Sequence, residues 1–152
     1  MLKIIKSMSE LQEEQLLSVY SGSNINAKEE HSLLDYLRED FFRQKDACCC
    51  IWTEDNAYKS ALRLEPYHDG LLLQALETAP NARKKGYGFS LVKAVLERCD
   101  GTGHRCVYSH VDKRNRASLN LHRKCGFQKL SDSAVLLDGT VTANCYTLCY
   151  YL

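Results

Sequence analysis

The sequence predicts an α+β fold in which helices cover both faces of one mixed, mostly antiparallel sheet. Strand-like and helix-like segments follow one another in the order β-α-α-β-β-β-α-β-α-β-β. The fourth and fifth strands are separated by a helix, as a parallel pair requires, whereas short turns join the second, third and fourth strands. With 152 residues, 45% of them hydrophobic, the chain is long enough for one core, and we expect a single domain over residues 1–152.

The first third of the chain is interpreted as a strand and two helices. Residues 2–6 have strand character, and Ser9-Glu10-Leu11-Gln12 has the form of a capping box that would start the first helix. A second helix is predicted from about residue 27 to residue 43, because apolar residues recur along one side of it at Leu33, Leu34, Leu37 and Phe41.

The remaining elements form the centre and the end of the sheet. Apolar runs predict strands over residues 47–53, 57–67, 71–78 and 106–111, with a helix over about residues 89–97 between the last two. A short helix over residues 117–125 ends at Gly126, a natural left-handed cap. Residues 127–137 and 140–151 then form a hairpin around Asp138-Gly139, a strong two-residue turn signal.

Composition excludes several classes of protein. The formal net charge is +1, so no global positive field attracts nucleic acid. No run of about 18 apolar residues occurs, and the N-terminus lacks the apolar core of a signal peptide. We expect a cytoplasmic monomer or homodimer that does not bind a membrane.

The eight cysteines are expected to be buried thiols. Cys48, Cys49 and Cys50 are consecutive within an apolar run, and no Cys-x-x-Cys pair occurs. That spacing suits neither a zinc site nor a disulfide framework, and a free cysteine packs as a small apolar residue. We therefore expect no metal ion.

The most informative segment is Arg83-Lys84-Lys85-Gly86-Tyr87-Gly88, between the fourth strand and the following helix. Glycines allow a tight turn and a close approach of the backbone to a ligand. The first N–H groups of a helix have no intrahelical partner, and the helix dipole adds positive charge there. With three cations beside it, this turn predicts a site for phosphate or pyrophosphate. Its spacing matches neither a Walker A loop nor a Gly-x-Gly-x-x-Gly fingerprint.

A second motif lies downstream and consists of Asn115, Ser118, Leu121 and Gly126-Phe127. The two motifs, in this order and on these elements, resemble those of the GNAT superfamily of acyl-CoA-dependent N-acyltransferases. The resemblance covers the whole chain in element order and residues 71–127 in motifs. It implies a GNAT-like fold with a sheet splayed between the fourth and fifth strands. It also implies an N-acetyltransferase that moves an acetyl group from acetyl-CoA, its co-substrate, to a primary amine by direct attack in a ternary complex.

The resemblance also assigns residues to the CoA molecule. The turn and the start of the helix would hold the pyrophosphate and other phosphates through Arg83, Lys84, Lys85, Gly86, Tyr87, Gly88, Phe89 and Ser90. Leu76 and Thr78, on the splayed strand, would pair with the pantetheine arm through their backbone groups. The second motif would contribute Asn115, Ser118, Leu121 and Lys124.

Two residues are predicted to be catalytic. His122 occupies the position at which the family usually has a tyrosine that protonates the leaving thiolate, and a histidine with a reference pKa of about 6.5 is a reasonable acid. Glu77, the acidic residue nearest the turn on the fourth strand, is the predicted base, and His110 on the next strand is a second candidate. Strict alternation would place Glu77 and Gln74 on opposite faces of the sheet.

Two alternatives remain open at this point. One is a non-catalytic acyl-CoA-binding module of the same fold, a sensor or a subunit, in which His122 only packs beside the cofactor. The other is a nucleic-acid or protein-binding domain that uses Arg114, Arg116, Arg123 and Lys124, although the balanced net charge weighs against nucleic acid. If the protein is an N-acetyltransferase, its acceptor would lie over the first two helices and the last hairpin, near Tyr20, Asn24, Tyr36, Tyr146 and Tyr150.

Overall fold

The computed structural model describes residues 1–152 as a seven-stranded sheet, a two-stranded ribbon and four α-helices. In chain order the elements are β1 (Leu2–Ile5), α1 (Glu13–Tyr20), α2 (Ala27–Glu39), β2 (Cys48–Glu54), β3 (Ala57–Tyr67), β4 (Gly70–Thr78), α3 (Tyr87–Cys99), β5 (Cys106–Asp112), α4 (Arg116–Cys125), β6 (Gln128–Ser131), β7 (Ala134–Val135), β8 (Val141–Thr142) and β9 (Cys145–Tyr151). The predicted order is confirmed, with the ribbon β7–β8 added between the last two strands of the sheet.

The sheet is mixed, and its strands lie in the order β1-β2-β3-β4-β5-β9-β6. The pair β4–β5 is parallel, and every other pair is antiparallel. Helix α3 makes the crossover between the two parallel strands, and the predicted α+β fold with a mostly antiparallel sheet is confirmed. The final hairpin differs from the prediction, because β9 inserts between β5 and β6 and the Asp138-Gly139 turn joins only the short ribbon.

The two N-terminal helices are shorter than the sequence predicts. Helix α1 begins at Glu13, and Gln12 in the cap position makes no side-chain cap bond, so the predicted capping box is wrong. The Ser9 hydroxyl instead lies 2.9 Å from the Ser7 hydroxyl. Helix α2 begins as predicted, with the Asn26 side chain accepting from the Glu29 N–H at 2.8 Å, but it ends at Glu39.

The parallel pair of strands is joined over only part of its length. Leu71–Leu73 of β4 pair with Val107–Ser109 of β5, yet β4 continues to Thr78 and β5 to Asp112. Beyond the paired residues the two strands separate. This is the splay that the sequence resemblance implies, and it leaves one edge of residues 74–78 without a neighbouring strand.

An extra residue in β4 changes the faces that its side chains occupy. Strand β3 pairs Ala61 with Glu77 and Arg63 with Gln74, so three steps along β4 oppose two along β3. Ala75 has a φ of 54° and forms a β-bulge. The two β3 residues lie on one face, so Glu77 and Gln74 share that face. The prediction that they lie on opposite faces is wrong because strict alternation does not hold across a bulge.

Two apolar clusters hold the helices on the two faces of the sheet. Helices α3 and α4 cover a cluster that includes Leu62, Leu73, Leu91 and Phe127, whereas α1 and α2 cover a cluster that includes Leu16, Leu37, Phe41 and Ile51. All eight cysteines are free thiols and six of them are buried. None of the four helices has the length and apolar character needed to cross a membrane.

Candidate functional site

The N-terminus of α3 forms an open anion cradle. Gly86 occupies the cap position with a φ of 82°, and no side chain caps the helix. The first helical bond runs from the Ser90 N–H to the Gly86 carbonyl at 3.0 Å, so the N–H groups before Ser90 point outward. A Cβ atom on Gly88 would lie 3.2 Å from Leu121 Cδ1 and 3.4 Å from Thr78 Oγ1, so glycine also allows α3 to approach α4 and β4 closely.

A cleft of about 660 Å³ opens in front of this cradle, between α3 and α4. Three cations and no carboxylate line the cleft, which is therefore suited to a polyanion. Most of the residues predicted to bind CoA lie here: Thr78, Arg83, Lys84, Gly86, Tyr87, Gly88, Phe89, Leu121 and Lys124. Lys85 and Ser90 do not line the cleft, and Lys85 is exposed beside it.

The three cations of the cleft are not equivalent. The Arg83 guanidinium donates to the Thr78 carbonyl at 3.4 Å and lies 3.9 Å from a Glu77 carboxylate oxygen. Lys84 and Lys124 have no ionic partner. The two lysines are therefore the charges free to meet phosphate groups, while Arg83 links the cleft to the other side of the sheet.

A second cleft, of about 360 Å³, lies between β4 and β5 where the two strands separate, and we call it the splay cleft. It contains the remaining predicted CoA residues, Leu76, Asn115 and Ser118, together with His122. The Asn115 side chain caps α4 by accepting from the Ser118 N–H at 3.1 Å. The unpaired edge of β4 presents backbone donors and acceptors along this cleft, as an extended amide-containing chain would require.

His122 is held in one protonation state. The residue is 1% exposed. Nδ1 lies 2.7 Å from the Ser118 carbonyl, which can only accept, so Nδ1 carries the proton and donates it. Nε2 then accepts from the Ser109 hydroxyl at 2.9 Å. Burial lowers the pKa of His122, and the bond to the Ser118 carbonyl opposes that effect only in part. The proton between Ser109 and His122 is therefore carried by Ser109, which also lines the splay cleft and which sequence reasoning missed.

The buried imidazole makes stability depend on pH. In the unfolded chain His122 binds a proton below a pH of about 6.5, but in the folded protein only at a lower pH. The unfolded state therefore binds more protons as the pH falls, and we expect the urea midpoint to drop between pH 7.5 and pH 5.5. His122→Gln should show a smaller drop, whereas His31→Gln, at a 79% exposed side chain, should retain the full one. If the urea midpoint of His122→Gln falls as far as that of wild type, the lowered pKa of His122 is not the cause of the pH dependence.

His110 lies on the opposite face of β5 from Ser109 and also lines the splay cleft. Its Nε2 atom is buried and has no hydrogen-bond partner. Burial lowers the pKa of His110, and the neighbouring His68 lowers it further. The ring packs edge-on against Tyr67 at 5.3 Å. An imidazole that is neutral at pH 7 and has a free nitrogen is a suitable proton acceptor.

Glu77 lies in a third cavity, of about 340 Å³, beneath α1 and α2. Its carboxylate accepts from the Ser23 hydroxyl at 3.1 Å. Of the five residues predicted to contact the acceptor, only Tyr20 lines this cavity. Burial raises the pKa of Tyr20, so its hydroxyl stays protonated and donates to the Ala75 carbonyl at 2.7 Å. Ala75 lines both this cavity and the splay cleft, so the two spaces meet at the bulge.

A splayed parallel pair beside an uncapped helix N-terminus places the chain in the class of acyltransferase folds. The family model described as Acetyltransferase (GNAT) family matches residues 7–127, and the chain belongs to that family. Among solved structures, the Campylobacter jejuni N-acetyltransferase PseH in complex with acetyl coenzyme A is similar to it, with a TM-score of 0.73 and 14% identity over 99% of each chain. This likeness shows the shared fold.

Two curated relatives match over shorter segments. Phosphinothricin N-acetyltransferase of Alcaligenes faecalis is 35% identical over 72 residues, which are 47% of this chain and 36% of that protein. The L-methionine sulfoximine/L-methionine sulfone acetyltransferase of Pseudomonas aeruginosa is 30% identical over 59 residues, which are 39% of this chain and 34% of that protein. The matched segments thus span about a third of the length of these relatives.

Proposed function

We propose that the protein transfers the acetyl group of acetyl-CoA to a primary amine by direct attack in a ternary complex. The observation that carries this proposal is the arrangement of three neighbouring spaces along β4 and the turn that follows it: the anion cradle, the splay cleft and the cavity beneath α1 and α2. The last two share Ala75, and the contact between Arg83 and Glu77 connects the cradle with the cavity. Because all three spaces are built on one sheet, we also propose that residues 1–152 act as one domain.

The residues of the first two spaces fit a CoA thioester. Lys84, Lys124 and the free N–H groups of α3 would hold its phosphates, and Arg83 and Lys85 would add charge at the rim. The unpaired edge of β4, at Leu76 and Thr78, would bond the amides of the pantetheine arm. When bound, the co-substrate supplies an acetyl thioester whose carbonyl the amine attacks. A backbone N–H on the splayed edge would polarise that carbonyl.

The proton steps follow from the placement of three polar side chains. The ammonium form of the acceptor must lose one proton before its nitrogen can attack, and the nitrogen releases another to solvent once the nitrogen–carbon bond has formed. As the carbon–sulfur bond breaks, the sulfur must gain a proton. We assign the first proton to His110, whose Nε2 has no partner, and we place Glu77 as the carboxylate that draws the ammonium form of the acceptor into its cavity. Glu77 as the base remains a prediction from the sequence, and variants of Glu77 and His110 must show which of the two takes the proton.

We assign delivery of the proton that the sulfur gains to the Ser109 hydroxyl. His122 was predicted to be the acid itself, but both of its ring nitrogens are engaged and its pKa is lowered. We therefore propose that His122 positions the Ser109 hydroxyl through Nε2, and that the Ser109 oxygen regains its proton from solvent after the sulfur has been protonated. His122→Ala and Ser109→Ala should then lower kcat to a similar extent, with a double variant no slower than either single one, as expected for residues that act as one unit.

The test of acetyl transfer is release of CoA thiol from acetyl-CoA, together with the mass of the acetylated amine. The names of the two curated relatives make phosphinothricin and L-methionine derivatives sensible first acceptors. Wild type should release thiol in an amine-dependent way, and the double variant Glu77→Gln, His110→Gln should be slower by at least ~100-fold at unchanged CoA affinity. CoA binding without amine-dependent release by wild type would instead support the non-catalytic acyl-CoA-binding module.

A further inference from the structure

Arg63 carries the one positive charge that lines the cavity beneath α1 and α2. None of the ion pairs of the protein includes Arg63, and its Nε atom is buried with no hydrogen-bond partner. The guanidinium lies over the rings of Tyr36 and Phe41, 6.0 and 5.8 Å from their centroids. These rings fix its position, but they satisfy none of its donors. A buried charged donor without a partner is costly, so its retention points to a ligand.

The nearest carboxylate on the same strand is already engaged. Glu65 lies two residues from Arg63 on the same face and is 2% exposed. Its oxygens accept from the side-chain amides of Gln44, at 2.8 Å, and of Gln74. Two amides thus hold both oxygens of this carboxylate, and no ion pair joins Glu65 to the Arg63 guanidinium.

The same cavity also carries negative charge. Glu77 and Glu29 line it together with Arg63, and Tyr20 and Ser23 add hydroxyl groups. Its volume of about 340 Å³ suits a small metabolite. A cavity with carboxylates and an unpaired guanidinium is complementary to a molecule that carries both an ammonium group and an anionic group.

We propose that the acceptor is a free α-amino acid, whose carboxylate binds the Arg63 guanidinium while its amine faces Glu77 and the bulge at Ala75. This proposal rests on the acetyl transfer proposed above, because it names the acceptor of the same site. A peptide N-terminus and a simple alkylamine both lack the carboxylate that Arg63 would bind. The guanidinium lies on the opposite face of the sheet from α3, so it acts on the acceptor and not on the phosphates of CoA.

Matched acceptors test this inference. For wild type, kcat/KM should be about 10- to 100-fold higher with an L-amino acid than with its primary amide, because a charge-assisted bond to a carboxylate is lost in the amide. Arg63→Met should reduce that ratio to about one without weakening CoA binding, and Arg63→Lys should retain part of it. The control Arg43→Met, at an exposed residue outside the cavity, should keep the wild-type ratio. Equal rates with acid and amide in wild type would overturn the inference.

A second measurement is independent of turnover. In ¹⁵N-labelled protein saturated with CoA, titration with each of the twenty L-amino acids should move the Arg63 Nε–H resonance, which Arg63→Lys identifies by its absence. No movement with any amino acid would overturn the inference even if another amine is acetylated. Movement without acetylation of any amine would uphold the binding site and refute the proposed transfer.

Discussion

Gly86→Asp is expected to weaken CoA binding by about 100-fold and to leave the protein folded. Gly86 has a φ of 82°, and a Cβ atom at this position would meet nothing within 4 Å. Asp and Asn are the side chains that best tolerate this left-handed conformation. The new carboxylate would stand where the free N–H groups of α3 point. Two like charges about 4 Å apart repel by about 4 kcal/mol near a protein surface, and solvent screening reduces that value.

Gly86→Asn is the matched control, since it adds the same number of heavy atoms without the charge. We expect its CoA affinity to stay within about tenfold of wild type, because only modest backbone strain is added. Calorimetric titration with CoA measures both variants, and thermal unfolding verifies that both fold. The difference in CoA affinity between the two variants should become smaller as the salt concentration rises, because salt screens the repulsion. An equal loss of CoA affinity in Gly86→Asp and Gly86→Asn would show that the size of the side chain, and not its charge, limits CoA binding at the cradle.

The features that the sequence predicted correctly are those determined by nearby residues. The uncapped helix start that follows the glycine turn, and Gly126 as a left-handed cap with a φ of 102°, follow from short motifs whose geometry is local. The crossover between β4 and β5 follows from a chirality rule and from the length of the connection. These local features were enough to locate the uncapped start of α3 and the cationic cleft beside it.

The proposed acceptor cavity depends on pairing between β3 and β4, and the sequence-based prediction for this region was wrong about the face that Glu77 occupies. The bulge at Ala75 exists because β4 carries one more residue than β3 between two paired positions, which no pattern within β4 reveals. It moves Glu77 to the face of Arg63, a residue that sequence reasoning did not single out. Ser109 was missed for the same reason, because its link to His122 joins β5 to α4 across the core.

The last strand shows the same limit. A local Asp-Gly signal predicted a hairpin of two long strands, and the turn does form, with the Leu136 N–H bonded to the Thr140 carbonyl at 2.8 Å. The ribbon it closes is only two residues long on each side. Strand β9 then pairs with β5 through seven residues, an interaction that turn chemistry cannot predict.

His110→Gln is expected to lower kcat by about 10²- to 10⁴-fold, the usual contribution of a general base. Glutamine keeps a polar group in the splay cleft but cannot take up a proton. CoA affinity and the thermal midpoint should change little, because His110 Nε2 makes no hydrogen bond that the substitution would break. Turnover with a saturating amino acid and acetyl-CoA measures the effect. A variant within threefold of wild type would exclude His110 as the base.

The pH profile identifies which group takes the proton. Burial first, and the nearby His68 second, lower the pKa of His110, so the base is neutral above its pKa and the rate should rise with pH through a value below 6.5. His68→Asn removes the second influence, and the exposed, left-handed position of His68 tolerates asparagine. The rising limb should therefore move to higher pH in His68→Asn and stay in place in Glu77→Gln. The reverse pattern would return the role of base to Glu77, since the rising limb reports the pKa of the group that takes the proton.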